Sequence, residues 1–355
     1  MPTRSGRSRF MTDEPLSSPG EGTGSSAPET PYVPKYEKRR NRWLLVTVVA
    51  VLGALLLGAA GIAIYYGVSA LNALNEVQRD PGLMPTGQRP SAVEPEDPSK
   101  APLNILLMGS DTRGDERGRS DVLQLLHISG DRKNVYLMSI PRDSYVSVPG
   151  YGMAKVNAAY SWGGVPLAIE TVEGMLNVPI DHTAIIDFDG FVNVIDAVGG
   201  VTVFNKEESS NGGYNFPVGN VTLTGDSALA YVRERYDLSG GDFSRAERQR
   251  DVIKAVLMKL ASRGVLSDPG AFREAVGTLG SNFTVDSGLT NNEIVDLGWQ
   301  LRSFRPDDIK SFQLPTAGFD TTADGQSIVL VDQTKLGELQ QALRADDLET
   351  FYTSL

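Results

Sequence analysis

Two kinds of hydrophobic patterning divide this chain. Between Trp43 and Asn75 no residue is charged, and the run from Leu44 to Val68 is almost wholly apolar. At ~1.5 Å rise per residue, a helix over that run spans roughly 37 Å, enough to cross a ~30 Å hydrocarbon core with some tilt. After Pro102 the pattern changes to short apolar runs separated by Gly and Asp, alternating with stretches of helical period. Leu103–Met108, Val122–Ile128, Val135–Ile140, Ala184–Phe188 and Val201–Phe204 read as strands, several of them apolar at consecutive positions as in a sheet covered on both faces. Val165–Leu176, Asp226–Arg233 and Arg245–Ser262 read as helices. The same style continues with helices over 268–279, 290–302 and 335–344 and strands over 309–314 and 327–331. This alternation predicts an α/β layered domain.

The flanking segments complete the expected organisation. Residues 1–42 are rich in Ser, Pro, Gly and charge and lack apolar periodicity, so they read as a disordered tail. The tail ends in the basic run Lys35, Lys38, Arg39, Arg40, Arg42, and Trp43 and the pair Tyr65 and Tyr66 stand where interfacial aromatics belong. A transmembrane helix over 43–68 with a cytoplasmic amino terminus and the bulk of the chain outside the cell follows. The apolar run exceeds a signal-peptide core and follows a long polar tail, which argues against cleavage. Residues 69–102, with six prolines after position 76, are expected to link the anchor to a single domain over 103–345, with 346–355 as a carboxyl-terminal tail.

Charge and composition narrow the chemistry. The first 42 residues hold eight Lys or Arg against five Asp or Glu, so the remainder carries 25 basic against 39 acidic residues and a net charge of −14. Nucleic acid is therefore excluded as a partner, since a phosphate backbone requires a basic face. With no cysteine there are no disulfides, thiolate metal sites or cysteine nucleophiles, and with only His127 and His182 no multi-histidine centre forms. A metal would be held by oxygen, which favours Mg2+ or Ca2+ over zinc.

The candidate chemistry gathers at strand exits. The first strand of the domain runs into SDTRGDERGRSD, which brings Asp111 and Asp121 to a strand end beside Arg113 and its neighbours, where ligands of open α/β sheets collect. Carboxylates mixed with arginines suit a metal-bound polyphosphate, although the same loop also reads as a solvated charged turn. Arg142, in SIPRD, leaves another strand. Arg233 and Arg235 close one helix, and Ser244 and Glu247 form an S-x-x-E capping box that starts the next. Arg245 and Arg248 then fall in a first turn, with Gln249 one turn beyond Arg245. Arginine there is opposed by the positive end of the helix dipole unless an anion lies nearby. Either Glu234, Asp237 and Glu247 balance these arginines in surface pairs, or the set is a phosphate site. The stripe Ile253, Val256, Leu257, Leu260 is expected to bury against the sheet. Gly225-Asp226-Ser227 resembles a serine-hydrolase turn, but no partnered histidine accompanies it, and both histidines read as structural.

NILLMGSDTRGDERGRSD, SIPRD, KVNAAY with Lys155, IDHTAIIDFDGF, VIDAVGGV, LTGDSALAYVRER and DFSRAERQR, in that order from about Leu103 to Leu260, resemble the LytR-CpsA-Psr family. The resemblance implies a Gram-positive, actinobacterial source and a mixed central sheet flanked by helices, with a deep apolar pocket for a polyprenyl chain and a charged mouth for its pyrophosphate. It further implies Mg2+ on Asp111 and Asp121, a pyrophosphate-binding and catalytic set of Arg142, Arg233, Arg235, Arg245 and Gln249, and Arg113 near the phosphates. Asp111 is included in the catalytic set. The implied reaction is transfer of a glycopolymer, such as teichoic acid, from a polyprenyl-pyrophosphate donor to a peptidoglycan acceptor through a phosphodiester. The rival readings are a membrane-anchored polyprenyl-pyrophosphate pyrophosphatase and a non-catalytic envelope protein that binds lipid-linked glycans.

Overall fold

The computed structural model describes residues 40–91, 97, 100–110, 120–260, 262, 268–301 and 305–355. Its contacts form two units, one ending at Leu57 and one from Gly58 to Leu355. The chain runs α1 (Arg40–Glu76), β1 (Gln78–Asp80), β2 (Leu103–Ser110), β3 (Ser120–Ile128), β4 (Val135–Ser139), β5 (Tyr145–Val148), β6 (Gly152–Lys155), α2 (Val156–Leu176), β7 (His182–Asp187) and α3 (Phe188–Ala197). It continues with β8 (Val201–Asn205), β9 (Ser209–Asn211), β10 (Tyr214–Phe216), β11 (Gly219–Leu223), α4 (Gly225–Arg233), α5 (Asp242–Leu260), α6 (Pro269–Asn282) and β12 (Phe283–Asp286). The last elements are α7 (Asn291–Leu301), β13 (Ile309–Gln313), β14 (Thr316–Thr321), β15 (Ser327–Val331), α8 (Gln333–Ala345) and α9 (Leu348–Thr353).

The expected α/β layering is present. Seven strands form one mixed sheet in the order β1-β12-β7-β2-β3-β4-β13. Within it β2 and β7, β4 and β13, and β1 and β12 are parallel, and the other neighbours are antiparallel. Alternation along the central strands divides the core. Leu106, Met108, Leu123 and Leu125 face α2 and α8 through Ile169, Val172 and Leu339. Ile105, Ile128 and Val135 face the other way, with Leu257 of α5 and Leu297 of α7 packed against them. A further core joins α3, α4, α5 and the β8–β11 pair through Ile195, Val203, Leu223 and Tyr231.

The main differences from the sequence reading lie at the ends of the domain. Helix α1 continues past Val68 to Glu76, and β1 adds to the sheet beside β12, so part of the stretch expected as a linker is built into the fold. Three contacts hold it. Tyr66 packs edge-on to Phe272 of α6 at 4.9 Å, Arg79 donates to Asn291 at 2.6 Å, and a Cβ on Gly280 would collide with the Ala73 carbonyl. Residues 346–355, expected as a tail, contain α9, whose Leu348 and Phe351 are buried against the main core. Helix α2 begins at Val156, ahead of the expected Val165, because its two segments join across Gly164 at φ 70°, with Pro166 just inside the second, where a missing N–H is tolerated. The expected tail, residues 1–42, lies outside the described residues apart from 40–42.

Both histidines are structural. Buried His127 bonds Asn104 at 2.8 Å and Asp346 at 3.1 Å. Buried His182 lies 3.3 Å from Asp286, which also accepts the backbone N–H groups of Thr183, Gly288 and Leu289. Burial pushes the His182 imidazolium down, but the hydrogen bond and charge of Asp286 outweigh it and leave the pKa above 6.5. Burial likewise pushes Asp286 up, yet its hydrogen bonds hold it below 3.8.

The signs then follow. The His182 contribution is full below pH 6.5 and is lost as pH rises through the raised folded-state pKa, whereas that of Asp286 is present above pH 3.8 and lost as pH falls through the lowered one. Thermal unfolding of the full chain in detergent from about pH 5 to about pH 9 is expected to show the gap between wild type and His182→Gln shrinking as pH rises. Asp286→Ala, which leaves a buried imidazole and three N–H groups without their acceptor, is expected to cost about 3–5 kcal/mol. A pH-independent gap, or an Asp286→Ala protein as stable as wild type, contradicts the assignment.

Candidate functional site

Sheet topology sets the location. β2, β4 and β7 all run toward one edge, and the antiparallel β3 starts from it. Ser110, the residue before Asp111, pairs with Ser120, the residue before Asp121. Arg142 follows β4, and Asp187 closes β7 and caps α3 by accepting from Gly190 N at 2.7 Å. Asp111 and Arg113 lie outside the described residues, and Asp121 is placed here by its backbone alone.

Beneath this edge a cavity of about 480 Å3 opens between the sheet and helices α3, α4, α5 and α6. That size falls within the ~300–1,000 Å3 of ligand sites. Its walls are apolar, with Leu126, Phe191, Leu229 and Val256 among them, and its polar lining includes Arg142, Arg233, Arg235, Arg245 and Gln249. The five residues expected to act as a set are thus brought to one cavity from three segments of the chain. The α5 stripe closes onto the sheet only in part, through Leu257 packed beside Ile105, Ile128 and Val135. Ile253, Val256, Leu257 and Leu260 are half-buried and form the cavity wall, so the same periodicity supplies a binding surface as well as core contacts.

One carboxylate organises the mouth. Asp242 Oδ2 accepts from Arg142 Nε at 3.1 Å and Arg245 Nη2 at 3.2 Å, and its Oδ1 lies 3.7 Å from Arg235 Nη1. Asp143 adds a contact to Arg142 at 3.6 Å and binds Lys155 Nζ at 3.0 Å. The guanidinium of Arg233 lies over the Phe188 ring at 4.7 Å and forms no ion pair among the described residues. Gln249 donates to the Val232 carbonyl at 3.3 Å, which ties α5 to the end of α4.

The acidic residues weighed as surface partners of these arginines are engaged elsewhere. Buried Glu234 accepts the N–H groups of Tyr236 and Asp237 at 2.6 and 2.9 Å and so fixes the turn that carries Arg233 and Arg235. Asp237 accepts from Ser210, and Glu247 pairs with Lys206. Glu247 therefore completes no capping box. Helix α5 starts at Asp242, where Arg245 N already donates to the Gly241 carbonyl at 3.0 Å, and the acidic Asp242 occupies the first turn. Arg248 is consequently not at the mouth. It is buried over Tyr231 at 4.2 Å, bonded to Asn205 and the Glu207 carbonyl, and burial lowers its pKa. Ser227 is a helix cap, accepting from Thr224 N at 2.8 Å.

Sequence reasoning missed the central position of Asp242, which depends on an approach of separate segments that no local pattern records. It also passed over α3, although FDGFVNVIDA is amphipathic and supplies Phe188 and Phe191 to the cavity.

Comparison with known proteins agrees with this architecture. The LytR_cpsA_psr family profile matches residues 75–345. A polyisoprenyl-teichoic acid–peptidoglycan teichoic acid transferase, TagU, from Bacillus anthracis is 37% identical over 259 residues, covering 72% of this chain and 82% of that protein. The enzyme of the same name from Enterococcus faecalis is 36% identical over 250 residues, covering 69% and 80%. Among solved structures, TagT bound to LIIa-WTA superposes with a TM-score of 0.61 at 31% identity, covering 76% of this chain and 98% of that one. Bacillus subtilis TagV gives a TM-score of 0.60 at 29% identity, covering 70% and 98%.

The cavity makes a direct prediction. Val256→Trp fills it from α5, and at about 0.8 kcal/mol per buried CH2, excluding three or four methylenes weakens an isoprenyl ligand by about a hundredfold. Calorimetric titration of farnesyl phosphate into the full chain in detergent checks this. Equal affinity for wild type and Val256→Trp places the lipid elsewhere.

Proposed function

The chain belongs to the LytR-CpsA-Psr family, and on that premise we propose that it is a glycopolymer transferase, moving a glycan from a polyprenyl-pyrophosphate carrier to peptidoglycan through a phosphodiester. The observation that carries this reading is the joining of an apolar cavity to an arginine-lined mouth, which matches a ligand that is hydrocarbon at one end and pyrophosphate at the other. The relatives named for transfer of teichoic acid to peptidoglycan support transfer over plain hydrolysis or binding.

In this reading the isoprenoid lies along α5, and the arginines hold the pyrophosphate, with two-pronged contacts that fix its orientation. An acceptor sugar hydroxyl attacks the glycan-proximal phosphorus. The new O–P bond forms as the bridging P–O bond breaks, polyprenyl phosphate departs, and the hydroxyl proton passes to it. Arg142, Arg235 and Arg245, already gathered on Asp242, stabilise charge on the bridging and terminal oxygens without rearranging during the reaction. Gln249, locked to Val232, and Arg233, braced on Phe188, bound the mouth on the α4 side.

Asp111 and Asp121 fit a hard cation by their chemistry, two carboxylates following residues that pair across β2 and β3. Bound there, Mg2+ would neutralise pyrophosphate charge. By length and composition, α1 carries an apolar stretch long enough to anchor the chain in a membrane. With the basic run on its amino side, the folded domain lies outside the cell, on the surface where a lipid-linked donor is confined.

The test incubates the full chain in detergent with a polyprenyl-pyrophosphate-linked oligosaccharide and peptidoglycan oligomers, and follows polyprenyl phosphate and the phosphodiester-linked product by mass spectrometry. Arg233→Ala and Arg245→Ala are expected to lower turnover by roughly 10³–10⁵. The exposed Arg233 is expected to change stability by no more than ~0.5 kcal/mol. Folded variants with wild-type rates refute the assignment, and release of polyprenyl phosphate without an acceptor-linked product makes the protein a pyrophosphatase.

A further inference from the structure

The cavity and the arginines account for the donor, and the attacking hydroxyl must reach the same mouth from outside. The β14–β15 hairpin stands there. Val329 N donates to the Asp143 carbonyl at 2.9 Å, and Ser144 bridges to Val329, so the hairpin is fastened to the segment that carries Arg142. Directly across the ladder from Val329 is Phe319. A β-bulge shifts the register between Thr316 and Gly318, with Gly318 at φ 114°, immediately before that residue. Bulges of this kind re-aim the following side chain next to sites.

Phe319 belongs to no core cluster and is 65% exposed. Its ring stacks on that of Phe243, with centroids 5.2 Å apart and planes 26° apart. Phe243 follows Asp242, the carboxylate that gathers Arg142, Arg235 and Arg245. The pair is therefore tied to the mouth at both ends, through Asp242 and through Asp143. Tyr236, 83% exposed with its hydroxyl 2.8 Å from Arg235, stands at the same mouth. Exposed planar rings beside charged groups contribute little to folding, and they match a ligand with a flat C–H face and a hydroxylated rim, which is a pyranose ring.

Building on the transferase reading, we propose that the Phe243–Phe319 stack is the acceptor subsite, on which one sugar of the peptidoglycan glycan strand lies flat so that a neighbouring hydroxyl reaches the arginine-lined mouth. Stacking on an aromatic platform tolerates sequence along the strand while fixing its distance from the phosphate.

The probe is a tetrasaccharide of alternating N-acetylglucosamine and N-acetylmuramic acid, titrated into the full chain in detergent by calorimetry. Phe319→Ala is expected to weaken it about tenfold or more, and Phe319→Trp, which restores a flat ring, to recover the affinity. In turnover assays the acceptor KM is expected to rise in Phe319→Ala in the same proportion. Equal tetrasaccharide affinity for wild type and Phe319→Ala overturns the proposal, as does a loss that Phe319→Trp fails to rescue. The two readings fail separately. Transfer with an unchanged acceptor KM in Phe319→Ala removes the platform and keeps the transferase, and Phe319-dependent binding without transfer by wild type does the reverse.

Discussion

Like charges resist being gathered, and among the described residues Asp242 is the carboxylate that offsets that resistance for three arginines at the mouth of this protein. Arg142 arrives after β4, Arg235 after α4, and Arg245 from the first turn of α5, and all three meet Asp242. Asp242 also sits where a negative charge favours the start of its own helix, so one side chain begins α5 and assembles the cationic groups around it. The turn fixed by Glu234 and the Gln249–Val232 bond supply the remaining geometry, because they determine where α4 ends relative to α5. Beneath the charges, the α5 stripe is only half covered by the sheet. The resulting cavity is bounded by the elements whose ends carry the arginines, which is why apolar volume and positive charge adjoin.

Much of the fold was legible because its signals are local. NILLMG and VLQLLHI are apolar on consecutive positions, and their strands are covered on both faces. Boundaries read from periodicity differ from the observed ones mostly at the ends, where fraying and one-turn extensions are normal. Short hairpins such as β5–β6 and β9–β10 escaped because three or four residues carry no period. The capping box at Ser244 was a false start. Its pattern is intact, but Gly241 and Asp242 offer an earlier start, and Lys206, distant in sequence, draws Glu247 away.

The candidate site was legible in its members and not in its wiring. Arg142, Arg233, Arg235, Arg245 and Gln249 could be chosen from residue type and position at strand and helix ends, and all line one cavity. Which carboxylate Arg142, Arg235 and Arg245 share is decided by tertiary approach, and Glu234, Asp237 and Glu247 were equally plausible by sequence distance. Arg248 shows the reverse case. It lies three residues from Arg245, on the same side of the same helix, yet its side chain turns to Tyr231 and Asn205, partners that tertiary packing supplies and helical spacing does not record.

The junction at Gly280 bears on the reach of the domain. From Tyr66 to Arg79 the chain is held by α6, by the β1–β12 pairing and by Asn291, so this stretch belongs to the folded unit and is not a free linker. A free coil over residues 69–80 would lengthen the reach of the domain; a segment paired into the sheet and packed on α6 adds none, so this length of chain is spent on the fold.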